Sequence, residues 1–476
     1  MNFRNLLSAL LLIIHVGLHS ANAQDSTLPT TFIANPYLQI GREPSAKALT
    51  LLWHVADVDA DWTVELKVKA GDAWKKSGSA EYTRVAVGGI EPHRIYRSIL
   101  KDLTTGGTFT YRLLKNGAEV FTAEAIAPKN DKQAYRFVAI GDIGAQTPNQ
   151  KLLAVQIYKE KPDLVVVPGD IVYSTGRISE YRTKFWNIYN SDKQTIESAP
   201  IMRSVPFVAA PGNHDIGNRD LDRYPDGLAY FSYWNQPLNG PAGGEGGAIS
   251  PLLKGSDVNK KAFKDAAGDA FPRMGNFSFN YGNAHWLFLD SNPYMNFEDK
   301  DLLDWIKNDL ASAKNATWRF VVFHHPGFNS SRAHFEDQQM RPLAPWFEAG
   351  KVDVVFTGHV HNYQRTFPLT FTPQKQAASA DKARGHVVNG DWKLDKNYNG
   401  KTVTKPKGII YLVTGAGGAG LYDIEQNDDP KSWQTFTDKF ISNTHSLTVA
   451  DVDGKTITIR QISATGKEID SFKVTK

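Results

Sequence analysis

A chain of 476 residues that is 41% hydrophobic can bury sizeable cores and has room for two folded domains. Its formal charge of +4 is spread thinly, with Arg4 in a leader described next, so a nucleic-acid footprint is excluded. The absence of cysteine rules out disulfides, a disulfide-linked dimer, thiolate metal sites, cysteine nucleophiles and a lipoprotein anchor.

Residues 1–23 read as a signal peptide: Arg4 is the positive start, Leu6 to Leu18 the apolar core, and Ala21-Asn22-Ala23 the cleavage pattern. That core is too short to span a bilayer, and no later stretch is long enough. The mature protein is expected to be exported to a bacterial periplasm or the medium, without a membrane span.

Residues 24–129 read as all-β. Leu49, Leu51, Trp53 and Val55 alternate with Ala48, Thr50, Leu52 and His54, and Val64, Leu66 and Val68 alternate with Glu65, Lys67 and Lys69. Turns such as Ala70-Gly71-Asp72 and Asn116-Gly117 separate the runs, as in a β-sandwich. Leu103 to Arg112 resembles the late-strand corner of fibronectin type III domains, with Phe109 at the corner tyrosine's place. This part carries no chemistry and is expected to pack or position.

After a polar linker at 127–132, apolar strands alternate with helical stretches, which predicts a layered α/β or α+β catalytic domain over 133–476. One helix is expected in 146–161 on Leu152, Leu153, Ile157 and Tyr158. A second is expected in 299–313 on Leu302, Ile306 and Leu310. Residues 239–256 and 372–407 show no regular pattern and are expected to overhang a site as loops.

Five apolar runs end alike. Arg136–Ile140 runs into GDIG, Asp163–Pro168 into GDIVY, Phe207–Pro211 into GNHD, Phe320–Phe323 into HHP, and Val352–Phe356 leads to GHVH. Each places a ligand-type residue at a strand's carboxyl end, where open α/β sheets build their sites. Residues two apart on extended chain share a side, so His359 and His361 converge. Asp142, Asp170, Tyr173, Asn213, His324, His359 and His361 are oxygen and imidazole donors suited to Fe, Zn or Mn. Seven are too many for one ion with an open position, and with a shared carboxylate they divide between two. Taken singly, GD is usually a turn and Asn213-His214-Asp215 an Asx turn. His325 and Asp290 read as structural or as supporting the donors. Gly415 to Gly420 lacks GK[ST] and is expected to allow close backbone approach.

The ordered blocks GDIG, GDIVY, GNHD, VVFH and GHVH resemble the calcineurin-like metallophosphoesterases, and Tyr173 in GDIVY narrows the resemblance to the purple acid phosphatases. FSFNYGNAHWLFLDSN at 277–292, GHVHNYQRTFP, GAGGAGLY at 415–422 and the N-terminal β-sandwich extend it over nearly the whole mature chain. It implies a layered β-sandwich flanked by helices. Asp142, Tyr173 and His361 would hold Fe3+; Asn213, His324 and His359 would hold a divalent ion (Fe2+, Zn2+ or Mn2+); Asp170 would bridge them. His214 and His334 would contact phosphate and protonate the leaving alkoxide, although Ala333 stands where relatives often carry a further histidine.

The implied activity is hydrolysis of phosphate monoesters of small molecules by a metal-bound hydroxide. The two carboxylates and the phenolate leave a residual positive charge that attracts a phosphate ester. The ions depress the pKa of bound water, as Zn2+ does to about 7. Two alternatives stand beside it: a phosphodiesterase or nucleotidase on the same fold, and a non-catalytic exported binding protein. Substrate identity, tied to loops 216–276 and 372–407, and oligomeric state are left open.

Overall fold

Strands Ala34–Gln39, Leu49–Ala56, His93–Leu100 and Glu81–Val85 pair antiparallel, in that spatial order, into one sheet. Lys75–Lys76, Trp62–Lys67, Thr108–Lys115 and Ala118–Ile126 make a second. Leu49, Leu51, Trp53, Val64, Leu66, Phe109 and Tyr111 form the core of this N-terminal sandwich. The computed structural model describes residues 31–374 and 386–476, so the leader expected at 1–23 lies outside the described residues.

The alternation read in Leu49–Ala56 is half the picture, because seven of its eight residues are buried. One face fills the sandwich; on the other, Leu52 joins Tyr37, Val85 and Ile95 in a core shared with Tyr181, Trp186 and Tyr233. The sandwich is therefore packed against the rest of Phe32–Lys476, which forms one compact unit.

That remainder is built on two facing sheets. The first runs Phe207–Ala210, Leu164–Pro168, Tyr135–Ala139, Ser446–Asp453, Thr456–Ser463, Glu468–Thr475, and its first three strands are parallel. The second runs Phe277–Tyr281, Ala284–Phe288, Trp318–Val322, Val354–Thr357, Ile410–Thr414, Tyr363–Thr366, Thr437–Ile441, parallel from Ala284–Phe288 to Ile410–Thr414. Parallel strands covered on both faces read as near-continuous apolar runs, which is how LVVVP and, apart from Arg319, WRFVV appear.

Between the sheets, Phe137 meets Trp286 and Phe356 edge-on, with centroids 4.9 and 5.5 Å apart. Each such pair contributes about 0.5–1.5 kcal/mol beyond area burial. Phe137 and Phe356 sit on the strands that end at Asp142 and His359, and Trp286 sits on the strand beside the one that ends at His324, so the aromatic layer is the floor on which the site stands. Helix Lys300–Ser312 covers the outer face of the second sheet with Leu302, Ile306 and Leu310, capped by Asp299. Helix Pro148–Glu160 lies on the first sheet, capped by Thr147; Leu153 and Ile157 point in, but Leu152 and Tyr158 are 41% and 39% exposed.

Residues 239–256 hold no helix or strand, as expected, whereas 372–407 is not wholly irregular: Gly390–Leu394 pairs with Leu369–Pro373. Among the described residues no helix is long and apolar enough to cross a membrane.

Candidate metal centre

The carboxyl ends of strands from both sheets meet at one place. Asp142 follows Tyr135–Ala139, Asp170 follows Leu164–Pro168, and Asn213 opens the turn of helix after Phe207–Ala210. From the other sheet, His324 follows Trp318–Val322, and His359 and His361 follow Val354–Thr357. Asp142, Asp170 and His359 all adopt left-handed backbone, with φ of 61°, 52° and 66°. Residues with a Cβ pay for that conformation, and it concentrates where a chain must turn sharply to aim a side chain.

The close seam requires glycine. A Cβ on Gly169 would lie 2.6 Å from His324 Nδ1, and one on Gly358 would lie 2.7 Å from Asp142 Oδ2. Gly415, expected to let backbone approach, does so: its Cβ would be 2.8 Å from the same carboxylate oxygen.

Two groups of donors result. The Tyr173 hydroxyl donates to Asp142 Oδ1 at 2.9 Å and lies 3.1 Å from His361 Nε2, which is 3.4 Å from Asp142 Oδ1. His324 Nε2 lies 3.0 Å from Asn213 Oδ1 and 3.3 Å from Asp170 Oδ1, and the His324 and His359 rings are 4.9 Å apart. All seven expected donors are thus brought together. Asp142, Asp170 and His324 each offer a ligand atom within 4.8 Å of the others, and so do His324, His325 and His359.

Neighbouring groups orient the donors. His324 Nδ1 lies 2.9 Å from Pro168 O, and His361 Nδ1 lies 2.6 Å from Gly420 O; a carbonyl only accepts, so each Nδ1 carries the proton and Nε2 faces the site. Ser291 Oγ accepts from the backbone N–H of His324 and of His325 and meets His325 Nδ1 at 2.9 Å. Asp290 is buried and accepts from the Tyr294 hydroxyl and from Asn292. Asp215 accepts from Gly212 and Ile171 N–H and fixes the turn that carries Asn213 and His214.

His214 Nδ1 is tied to Ser174 O at 2.7 Å, and its Nε2 stands 3.9 Å from Asp170 Oδ2. His334, with φ 59°, has its ring 4.1 Å from that of His359. Two participants escaped sequence reasoning because neither ends a strand. Asp337 accepts from both His334 and His359, and Tyr422 stacks on His361 at 4.1 Å and 11°. The signal for Asp337 was its place three residues after His334.

The electrostatics call for a cation. Burial alone would raise the Asp170 carboxyl, but His324 and His214 hold it below the usual carboxylate range. Burial, then the charges of Asp142 and Asp170, push the Tyr173 phenol well above its ordinary value. Burial would lower His361, yet its hydrogen bond to Asp142 raises it. Asp142 and Asp170 are buried among the oxygen and nitrogen atoms of Tyr173, His324 and His361, a donor set whose negative charge a cation would balance. The residues fit a metal pair of the oxygen- and nitrogen-binding type.

Residues 135–363 match the calcineurin-like phosphoesterase family. Purple acid phosphatase 18 of Arabidopsis thaliana is 26% identical over 328 residues, covering 67% of this chain and 64% of the relative. Probable inactive purple acid phosphatase 27 of the same plant is 26% identical over 381 residues, covering 74% and 53%. The chain thus spans between about half and two thirds of the length of these relatives. The structure of purple acid phosphatase PPD1 from yellow lupin seeds superposes with a TM-score of 0.63 at 20% identity, over 92% of this chain and 74% of that one, which establishes the fold.

Proposed function

We propose, for a chain whose residues 135–363 are a calcineurin-like phosphoesterase domain with purple acid phosphatase relatives, that it is an exported binuclear hydrolase of phosphate monoesters. In this reading 1–23 is the leader, 24–129 a fibronectin-like positioning sandwich and 133–476 the catalytic domain. The observation that carries it is the meeting of Asp142, Asp170, Tyr173, Asn213, His324, His359 and His361 at the seam between the two sheets. Asp142, Tyr173 and His361 would hold Fe3+, Asn213, His324 and His359 a divalent ion, with Asp170 shared. Bound ions supply charge neutralisation and an acidified water for phosphoryl transfer.

The remaining work falls to the chain. Because Ser174 O holds the Nδ1–H of His214, its Nε2 is the nitrogen left for a phosphate oxygen or the leaving alkoxide, to which it donates in the imidazolium form. His334 is arranged likewise, with Nδ1 on Asp337.

Elemental analysis and the visible spectrum of the purified protein, with phosphomonoester hydrolysis measured alongside, test the reading. Two ions per chain, one of them iron, and a broad visible band are expected. Tyr173→Phe should remove the band and leave some hydrolysis. Two ions without iron or colour would favour the diesterase or nucleotidase alternative. No metal after reconstitution would leave the binding-protein alternative.

A further inference from the structure

One oxygen of one carboxylate joins two histidines with different tasks. Asp337 Oδ2 is 3.1 Å from His334 Nδ1 and 3.1 Å from His359 Nε2. An ionised carboxylate only accepts, so each contact requires the hydrogen on that nitrogen. His359 is thereby fixed with its proton on Nε2, which leaves Nδ1 with a free lone pair. His359 Nδ1 has no hydrogen-bond partner among the described residues, and the ring packs against His324 and His325, with centroids 4.9 and 4.3 Å away. His334 is fixed the other way, with its proton on Nδ1 and Nε2 left to work.

The local chain is built to keep Asp337 there. Its own backbone N–H donates to His334 O at 3.2 Å, closing a turn around the left-handed His334. Asn329 Nδ2 donates to the same carbonyl at 3.4 Å. The loop's near end is tied down from another part of the chain: Asp423 accepts from Ala333 N–H at 2.9 Å and from the Ser331 hydroxyl, and Gln426 Oε1 accepts from Arg332 N–H at 3.1 Å.

We infer that Asp337 is a positioning residue of the site, fixing the Nε2–H of His359 and the Nδ1–H of His334 through a single oxygen so that the two histidines are held as one unit, with His359 Nδ1 and His334 Nε2 left for the site. This rests on the hydrolase reading. Removing Asp337 lets His359 place its proton on Nδ1, where it blocks the ion, and releases His334 from its fixed distance to the seam. Outer partners of ligating histidines commonly change metal affinity or activity 10- to 100-fold.

Three measurements on the full chain decide it. In 15N-histidine spectra of the metal-free protein, with His359 assigned through His359→Gln, wild type should show the Nε2–H tautomer and Asp337→Ala a mixture. Zn2+ titration should give Asp337→Ala and the near-isosteric Asp337→Asn a divalent site weakened by about 10- to 100-fold at unchanged stoichiometry. For 4-nitrophenyl phosphate hydrolysis at saturating Zn2+, the fall in kcat of Asp337→Ala and His334→Ala should not add in the double variant. Wild-type tautomer, affinity and kcat in both Asp337 variants would overturn the inference alone. Loss of one whole ion would overturn it too, by making Asp337 a ligand. A wild type that neither binds Zn2+ nor hydrolyses phosphate overturns the hydrolase reading beneath it.

Discussion

Asp170 accepts from the backbone of His214 at 2.9 Å, lies 3.3 Å from His324 Nε2, and is carried on a left-handed residue after a glycine that no Cβ could replace. Asp170→Asn keeps its size and removes its charge, so it tests the shared-ligand role without emptying the space. Metal content should fall to one ion or fewer, and hydrolysis by more than about 100-fold, beyond what an outer partner costs; a coloured, fully active Asp170→Asn protein would sink the bridging role. The residues legible in the sequence were those that end an apolar run, because a buried strand followed by Gly-Asp, Gly-Asn-His or Gly-His-Val-His leaves little else for the polar group to do. Asp337 and Tyr422 carry no such mark. Their contacts with His359 and His361 come from loops folded back over the seam, a long-range fact that the three-residue spacing of His334 and Asp337 does not by itself encode.

At the level of elements, the seam depends on strand ends approaching more closely than a side chain permits. Gly169 has φ 86°, and its missing Cβ would lie 2.6 Å from His324 Nδ1 and 2.9 Å from Gly212 Cα. Gly169→Ala should cost about 2–4 kcal/mol from backbone strain and overpacking together, and should disturb the His324 Nδ1 contact with Pro168 O. The urea midpoint reports the first and Zn2+ affinity the second; an unchanged midpoint would contradict this packing. Helix Lys300–Ser312 was readable because one row, Leu302, Ile306 and Leu310, faces one sheet. Helix Pro148–Glu160 was read too broadly, since Leu152 and Tyr158 stay largely exposed. Leu49–Ala56 was read as single-faced because nothing local reveals that a second layer covers it.

Across the whole molecule, the sandwich and the body that carries the site share a core with polar groups sealed inside. His93 Nδ1 faces Arg182 Nη2 at 3.2 Å, its Nε2 meets the Tyr233 hydroxyl at 3.1 Å, and the His54 ring is 5.9 Å away. Burial, then the charge of Arg182, hold His93 down to about 4, and burial lowers His54 as well. A histidine whose folded value lies below its unfolded one stabilises least in acid. Above about pH 6.5 neither state is protonated and nothing is lost; between 6.5 and 4 only the unfolded state gains the proton, and stability falls. For His93 alone the loss approaches about 3 kcal/mol near pH 4. Unfolding free energies of the metal-free protein across that range should decline less steeply in His93→Gln; parallel curves would refute the assignment.

Strand Tyr135–Ala139, which delivers Asp142, is flanked on one side by Leu164–Pro168 and on the other by Ser446–Asp453. The second neighbour lies more than three hundred residues further along the chain. During synthesis the first side can close early, whereas the other must stay a bare edge until the last hairpins emerge. Pairings so distant form late and slowly, and an unpaired apolar edge invites other chains to add to it. A chain cut short before Ser446 therefore leaves bare the edge of the strand leading to the first aspartate of the site, so residues 446–453 act as its guard against self-association.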